Sequence, residues 1–323
     1  MWTLLAFISA LCLGCYDVSK KIALRDNTVV DVLAVSICVS AFILSVPLLL
    51  SRFCPEVTAG TLFYVPKLDT QAQLYTLLKS VIVLSSWVFA YVSMKHLPLS
   101  LVSPMQATRP MWTLAGALLI FNEQLNAWQW TGVLMAIGTI FAFSLHNRLP
   151  LRLQKKAERR KYPESGRYYI FLALAILTGA CSGLYDKYLM RNYDHNAVQV
   201  YYTLYQAAMM IVVRGVIRSR ELRKGRRTGT TGSKLSGLRR LAPGSLLAVV
   251  LISVFLVISD NTYMLALRDP DSMIAVVSTI RRGGTVIGFG YGLLFLKESD
   301  PWHKLLCMLG ISAGLLCLAI GSA

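Results

Sequence analysis

Acidic side chains are scarce in this chain. Its 323 residues hold 16 Asp and Glu against 33 Lys and Arg, a net charge of +17. Charged residues of either sign make up only 15% of the sequence and hydrophobic ones 55%, with a mean hydropathy of +0.54. A soluble domain of this length is excluded by that balance. Histidine is sparse too. His96, His146, His195 and His303 lie far apart, with no metal-ligand spacing around them. A nucleophile elbow and a glycine-rich phosphate loop are both missing. These gaps argue against an enzyme, a bound metal and a cofactor. Six of the seven cysteines, Cys12, Cys15, Cys38, Cys181, Cys307 and Cys317, fall in apolar runs and are expected as small buried side chains rather than a disulfide framework. Cys12-x-x-Cys15 has no second pair and no nearby His, so it is not expected to bind metal. The first fifteen residues lack a basic leader region and a small-x-small cleavage site, and are expected to belong to the fold.

What is abundant is apolar sequence, and the positive charge sits between its runs. Residues 148–167 carry eight Lys/Arg against two Glu, and residues 214–240 carry ten against one. Nothing in these stretches reads as a nucleic-acid motif, and no nucleic-acid partner is expected. Ten runs are long enough to cross a bilayer: 2–24, 29–50, 74–95, 97–120, 127–146, 168–190, 197–217, 244–267, 270–296 and 302–321. The expected fold is an all-α membrane protein. Alternating the loops puts both basic clusters on one side, which is then cytoplasmic, with both termini outside. Residues 51–73, with Pro55 and Pro66, are expected as the longest external loop.

The sequence is also duplicated. Gly14-x-Tyr16-Asp17 returns as Gly183-x-Tyr185-Asp186, 169 residues later. Tyr91, Pro98, Ser100, Arg109, Thr113 and Gly116 return as Tyr263, Pro270, Ser272, Arg281, Thr285 and Gly288, each 172 residues later. Two units follow, 1–147 and 168–323, joined by the basic linker 148–167. Five spans per unit is an odd number, so the second unit is inverted relative to the first. An inverted duplication carrying intramembrane charges is the pattern of a secondary transporter, with lipid, a small solute and protons as its candidate partners.

Charges inside the membrane are costly and mark function unless they only hold helices together. Arg109 falls midway along 97–120, Arg281 and Arg282 midway along 270–296, and Asp260, followed by Asn261, in the second half of 244–267. The equivalent arginines 109 and 281 are expected to line a cavity that attracts a carboxylate or phosphate, or else to pair with Asp17, Asp186 or Asp260. Asp17 and Asp186, with Tyr16 and Tyr185, are candidates for gating or coupling. Snorkelling of nearby Lys20 and Lys187 is the alternative. Gln106, Trp87, Tyr91, Tyr202 and Tyr263 are candidate cavity walls, although aromatics in such helices also serve packing. Glu123 and Lys297-Glu298 read as helix ends at the water boundary. Glycines at 132, 138, 283, 284, 288, 310 and 314 suit close helix packing.

Leu97 to Pro110, followed by Phe121-Asn122-Glu123, resembles the EamA type of the drug/metabolite transporter superfamily. So does Ser278-Thr279-Ile280-Arg281-Arg282 followed by Phe295-Leu296-Lys297-Glu298. That resemblance implies ten helices as two five-helix repeats and transport of amino acids, metabolites or drugs across a cell membrane. Some relatives carry nucleotide sugars or triose phosphates. The first span departs from the pattern, having Gly14-Cys15-Tyr16-Asp17 where a Trp-Gly-Ser-Asn type is usual.

Overall fold

A computed structural model describes residues 1–24, 27, 29–58, 61, 64–96, 108–146, 165–228, 245–284, 286–287 and 301–321. Among these residues the regular structure is helical, with no strand. The helices are α1 (Trp2–Leu24), α2 (Val29–Phe53), α3 (Pro55–Thr58), α4 (Thr70–His96), α5 (Arg109–Ile120), α6 (Ala127–His146), α7 (Ser165–Asn192), α8 (His195–Thr228), α9 (Ser245–Arg268), α10 (Ile274–Arg282) and α11 (Pro301–Gly321).

Five stretches are long and apolar enough to cross a membrane: Trp2–Lys20, Asp31–Phe53, Thr70–Ala90, Arg167–Asn192 and Leu246–Arg268. A helix satisfies its own backbone groups, so it is the form that apolar sequence takes in lipid. Large apolar side chains point outward along these bundles; Phe42 is 73% exposed and Leu119 85%. Water would penalise that surface and hydrocarbon does not. The same reasoning covers Cys38 and Cys181, expected to be buried and found on the outside as free thiols. A thiol is weakly polar and faces lipid at little cost.

The chain divides into two compact units. One holds Met1–Gly14, Val81–His195 and Ser259–Ala323; the other holds Cys15–Ser80 and Asn196–Ile258. Each draws on both sides of the basic segment 148–167. In the first unit α6 lies along α11, and α5 along α7. Gly132 and Gly314 bring the backbones of α6 and α11 together. A Cβ on Gly132 would come within 2.7 Å of the Gly314 carbonyl oxygen, and one on Gly314 within 2.9 Å of the Gly132 oxygen. Small residues here permit the close approach that lipid cannot drive by hydrophobic effect. In the second unit, Ala23, Val32, Ala248, Val249 and Ile252 form one apolar core, and Leu44, Val65, Ala197 and Val200 another. Within 51–73, read from sequence as external loop, α2 runs on to Phe53, and Ser51 Oγ accepts the Val65 amide at 3.0 Å.

Candidate functional site

The first unit gathers most of the intramembrane charge. Its organising feature is an interruption. α9 ends at Arg268, and the chain turns through 269–273 before α10 begins at Ile274. A helix end leaves orphan carbonyls, and the next start leaves orphan amides. Lys187 of α7, wholly buried, meets the first set. Its Nζ donates to the carbonyls of Leu267 (3.3 Å), Asp269 (3.4 Å) and Ser272 (2.5 Å), and to the Ser272 hydroxyl. Glu123 meets the second set, accepting the amides of Ile274 (2.6 Å) and Ala275 (3.1 Å). A cation at a helix C-terminus and an anion at an N-terminus each oppose the local dipole. Burial pushes the Glu123 carboxyl above the usual range, against the pull of those two amides. Sequence placed Glu123 at the water boundary. Here it is half-buried, because it reaches across to cap a helix far away in the chain. Lys187, read as a snorkelling candidate, has its charge bonded inside the bundle.

α10 carries Arg281 and Arg282 at its C-terminal end rather than midway along a continuous helix. Beyond them the bonding tightens: the amides of Gly283, Gly284, Val286 and Ile287 each bond three residues back, at 2.8–3.3 Å. The chain passes α1 there. A Cβ on Gly14 would come within 2.6 Å of the Gly284 oxygen, so Gly14 is required for contact. Arg281 Nη2 pairs with Asp260 Oδ1 and lies 3.4 Å from Ser259 Oγ, and its guanidinium stacks 4.2 Å from the centre of the buried Tyr263 ring. Ser259 in turn exchanges hydrogen bonds with Ser9, Oγ to carbonyl, at 2.7 and 3.0 Å. Among the described residues Arg281 Nε is buried without a hydrogen-bond partner.

Arg109 is the first residue of the described α5, with Pro110 pre-set for a helix start. Its Nη2 donates to the Gly179 carbonyl of α7 at 2.6 Å. It lies within electrostatic reach of Arg282, Tyr263, Arg281 and Asp186. Gly183 sits beside this group; a Cβ there would be 3.9 Å from Tyr263 Oη and 4.0 Å from Thr113 Cγ2. The first unit therefore collects Arg109, Arg281, Arg282, Asp260, Tyr263 and Asp186. Asn261, half-buried, adjoins them in sequence.

Other candidates lie elsewhere. Asp17 and Tyr16 belong to the second unit, where Lys20 Nζ is 3.6 Å from Asp17 and 5.2 Å from the Tyr16 ring centre. Tyr185 stacks on Tyr188 at 5.8 Å. Trp87 is half-buried on α4. Gln106 and the side chain of Tyr91 lie outside the described residues, as do Lys297 and Glu298. Ser9, Ser259 and the Gly179 carbonyl escaped the sequence reading, since hydroxyls and backbone groups leave no charge signal. No group of His, Cys, Asp or Glu that could hold a metal occurs among the described residues.

Membrane-length apolar helices enclosing buried ionisable groups define a multi-pass membrane protein. Residues 1–145 match the model of the EamA-like transporter family. No curated protein sequence matches the chain. A solved crystal structure, described only as that of a protein, is similar at TM-score 0.71 and 12% identity over 99% of this chain and 96% of its own. At that identity the likeness concerns the fold.

Proposed function

We propose that this chain is a secondary carrier for a small organic solute bearing an anionic or zwitterionic group, working by alternating access through ten spans arranged as two inverted repeats. The observation that carries the reading is the arginine cluster. Three guanidinium groups on α5 and α10 share a membrane-embedded region with two carboxylates, Asp186 and Asp260, and one buried guanidinium nitrogen has no described partner. Guanidinium binds carboxylate or phosphate in paired hydrogen bonds. An incoming carboxylate competes with Asp260 for Arg281, so loading and ion-pair opening are one event. Crossed packing supports the duplication. Gly183 lies beside Thr113, and Gly14, its counterpart, lies against Gly284 and Ile287, which flank Thr285, the counterpart of Thr113.

In proteoliposomes, Arg109→Ala and Arg281→Ala should each cut uptake of the transported solute by roughly 100-fold, the loss expected for two charged hydrogen bonds. Wild-type rates in correctly folded variants refute the assignment. A panel of amino acids, carboxylates and phosphate esters separates this reading from an exchanger of phosphorylated metabolites or nucleotide sugars, which the surplus of cations also favours. Asp17 is assigned to proton coupling as a gate residue. Asp17→Asn should flatten the pH dependence of uptake, and an unchanged profile removes that role. The basic segments are assigned to the cytoplasmic face of a cell membrane. A cysteine introduced at Glu158 should resist impermeant labelling in intact cells; ready labelling reverses the orientation.

A further inference from the structure

The second unit carries two cations within apolar sequence, and they are placed differently. Lys79 is buried midway along the Thr70–Ala90 span, its Nζ 4.4 Å from the centre of the Tyr202 ring. Arg214 stands at the surface, where α8 passes α2. Its Nη1 lies 2.7 Å from Asp31 Oδ1, and the two side chains are 29% and 25% exposed. Asp31 opens the Asp31–Phe53 span, so the pair marks an edge of the apolar layer. From that edge an apolar groove of about 420 Å³ leads along α2 into the layer. Ala34, Cys38 and Phe42 line one side at four-residue spacing, which aligns them on one helix face; Met210, Ile211 and Arg214 line the other. Ala34 and Met210 are buried and form the floor, while Cys38, Phe42 and Ile211 are exposed along the rim. Another face of α2 is already taken. Val32 packs in a core with Ala23, Ala248, Val249 and Ile252, and the Ser36 carbonyl accepts Ser253 Oγ at 2.9 Å. Just past Arg214, a Cβ on Gly215 would meet nothing within 4 Å, so that surface is uncovered among the described residues. From Arg214 onward the chain turns basic: residues 214–240 hold ten Lys/Arg against one Glu.

We propose that this groove seats one acyl chain of an anionic phospholipid, with the lipid phosphate at Arg214. The length fits. From Asp31 to Phe42 an α-helix rises about 16 Å, roughly half of a hydrocarbon core ~30 Å thick, so the groove is as deep as one leaflet. The lining fits too, being apolar throughout except for a single guanidinium at the edge, where a headgroup lies. Charge selects the headgroup. Asp31 holds Arg214 through Nη1, and a guanidinium has further N–H donors to offer a phosphate oxygen. The surplus of Lys and Arg beyond position 214 makes the surrounding potential positive, which favours a lipid of net negative charge over a zwitterionic one. The same surplus opposes a second copy of this chain on the groove, since that would bring two basic segments together. The site requires only that the chain is a multi-pass membrane protein; it stands apart from solute transport at Arg109 and Arg281.

The test uses the full chain in detergent micelles doped with equal amounts of dioleoyl phosphatidylglycerol and dioleoyl phosphatidylcholine. Native mass spectrometry then counts the lipids retained. Phosphatidylglycerol should be retained in preference. Arg214→Gln should lower that preference about fivefold, the weight of one cation at a membrane surface. Arg214→Lys should keep most of it. Cys38→Trp fills the groove from an exposed position and leaves every charge in place, so it should lose the retained lipid as well. Thermal unfolding in phosphatidylcholine alone should be the same for all four chains, which shows that the variants fold. Equal retention of the two lipids by the wild-type chain overturns the proposal, and so does retention unchanged by Arg214→Gln. Loss with Arg214→Gln but not with Cys38→Trp means diffuse attraction to the basic segment, and also overturns it. A lipid-free particle of two chains that Cys38→Trp splits would overturn it in favour of a second copy in the groove.

Discussion

Arg109 and Arg281 hold equivalent places in the two sequence copies, yet they are partnered differently. Arg109 donates to a backbone carbonyl, that of Gly179. The counterpart of Gly179 is Ala10, and the Ala10 carbonyl is packed against Gly284 instead. Arg281 has turned to Asp260, for which the first copy has Val88. A carbonyl dipole leaves a guanidinium its full charge, whereas a carboxylate cancels it. Arg109 therefore faces a backbone carbonyl and Arg281 an ion pair. Where the second sequence copy has Asp260 the first has Val88, and that one difference separates the two arrangements.

The largest expected effect tests that asymmetry. Both arginine-to-alanine variants should lose uptake, but only Arg281→Ala should also lose stability, by about 3–5 kcal/mol, because it strands the Asp260 charge in the bundle. Arg109→Ala leaves a carbonyl, and its stability should change far less. Thermal unfolding in detergent compares the two, and equal losses would abolish the distinction. Asp260→Asn should return most of the stability to the Arg281→Ala variant, a coupling that a double-mutant cycle measures directly. On its own, Asp260→Asn should bind anions several-fold tighter by freeing Arg281.

A smaller effect concerns how α10 is held. Glu123→Ala should cost about 1–2 kcal/mol, the loss of an N-terminal cap. Its carboxyl is pushed up in the folded chain, so the native state holds a proton that the unfolded state has released. Stability therefore falls as pH climbs from the ordinary glutamate range through the raised value. Glu123→Gln should remove that slope while keeping one acceptor. Unfolding curves at several pH values show whether it does.

The fold was readable where composition is uniform. The runs predicted at 2–24, 29–50, 74–95, 168–190 and 244–267 lie within a few residues of α1, α2, α4, α7 and α9, because sustained apolar sequence leaves the backbone one solution in lipid. Arg109, Arg281, Asp260 and Asp186 were legible for a related reason: charge in such a run has to be spent on something. Lys79 and Lys187 carry that signal too. Lys79 was diluted by the apolar residues around it, and Lys187 was discounted by nearness to a helix end. What no pattern announced is reach across the chain. Glu123 caps a helix that starts 151 residues later, and such a contact depends on where helices pass one another rather than on local sequence. The same holds for the serine pair 9 and 259.

The paired capping at 269–273 has a mechanical result. α10 is pinned at its first turn by a carboxylate that accepts two amides, and its last turn runs into three-residue bonding over Gly283 and Gly284, which pack against Leu315 and Ala10. A short rod held at both ends moves as a unit, so a tilt imposed at one end carries the side chains at the other. In this molecule the far end bears Arg281 and Arg282, so a tilt of these nine residues would move two guanidinium groups together.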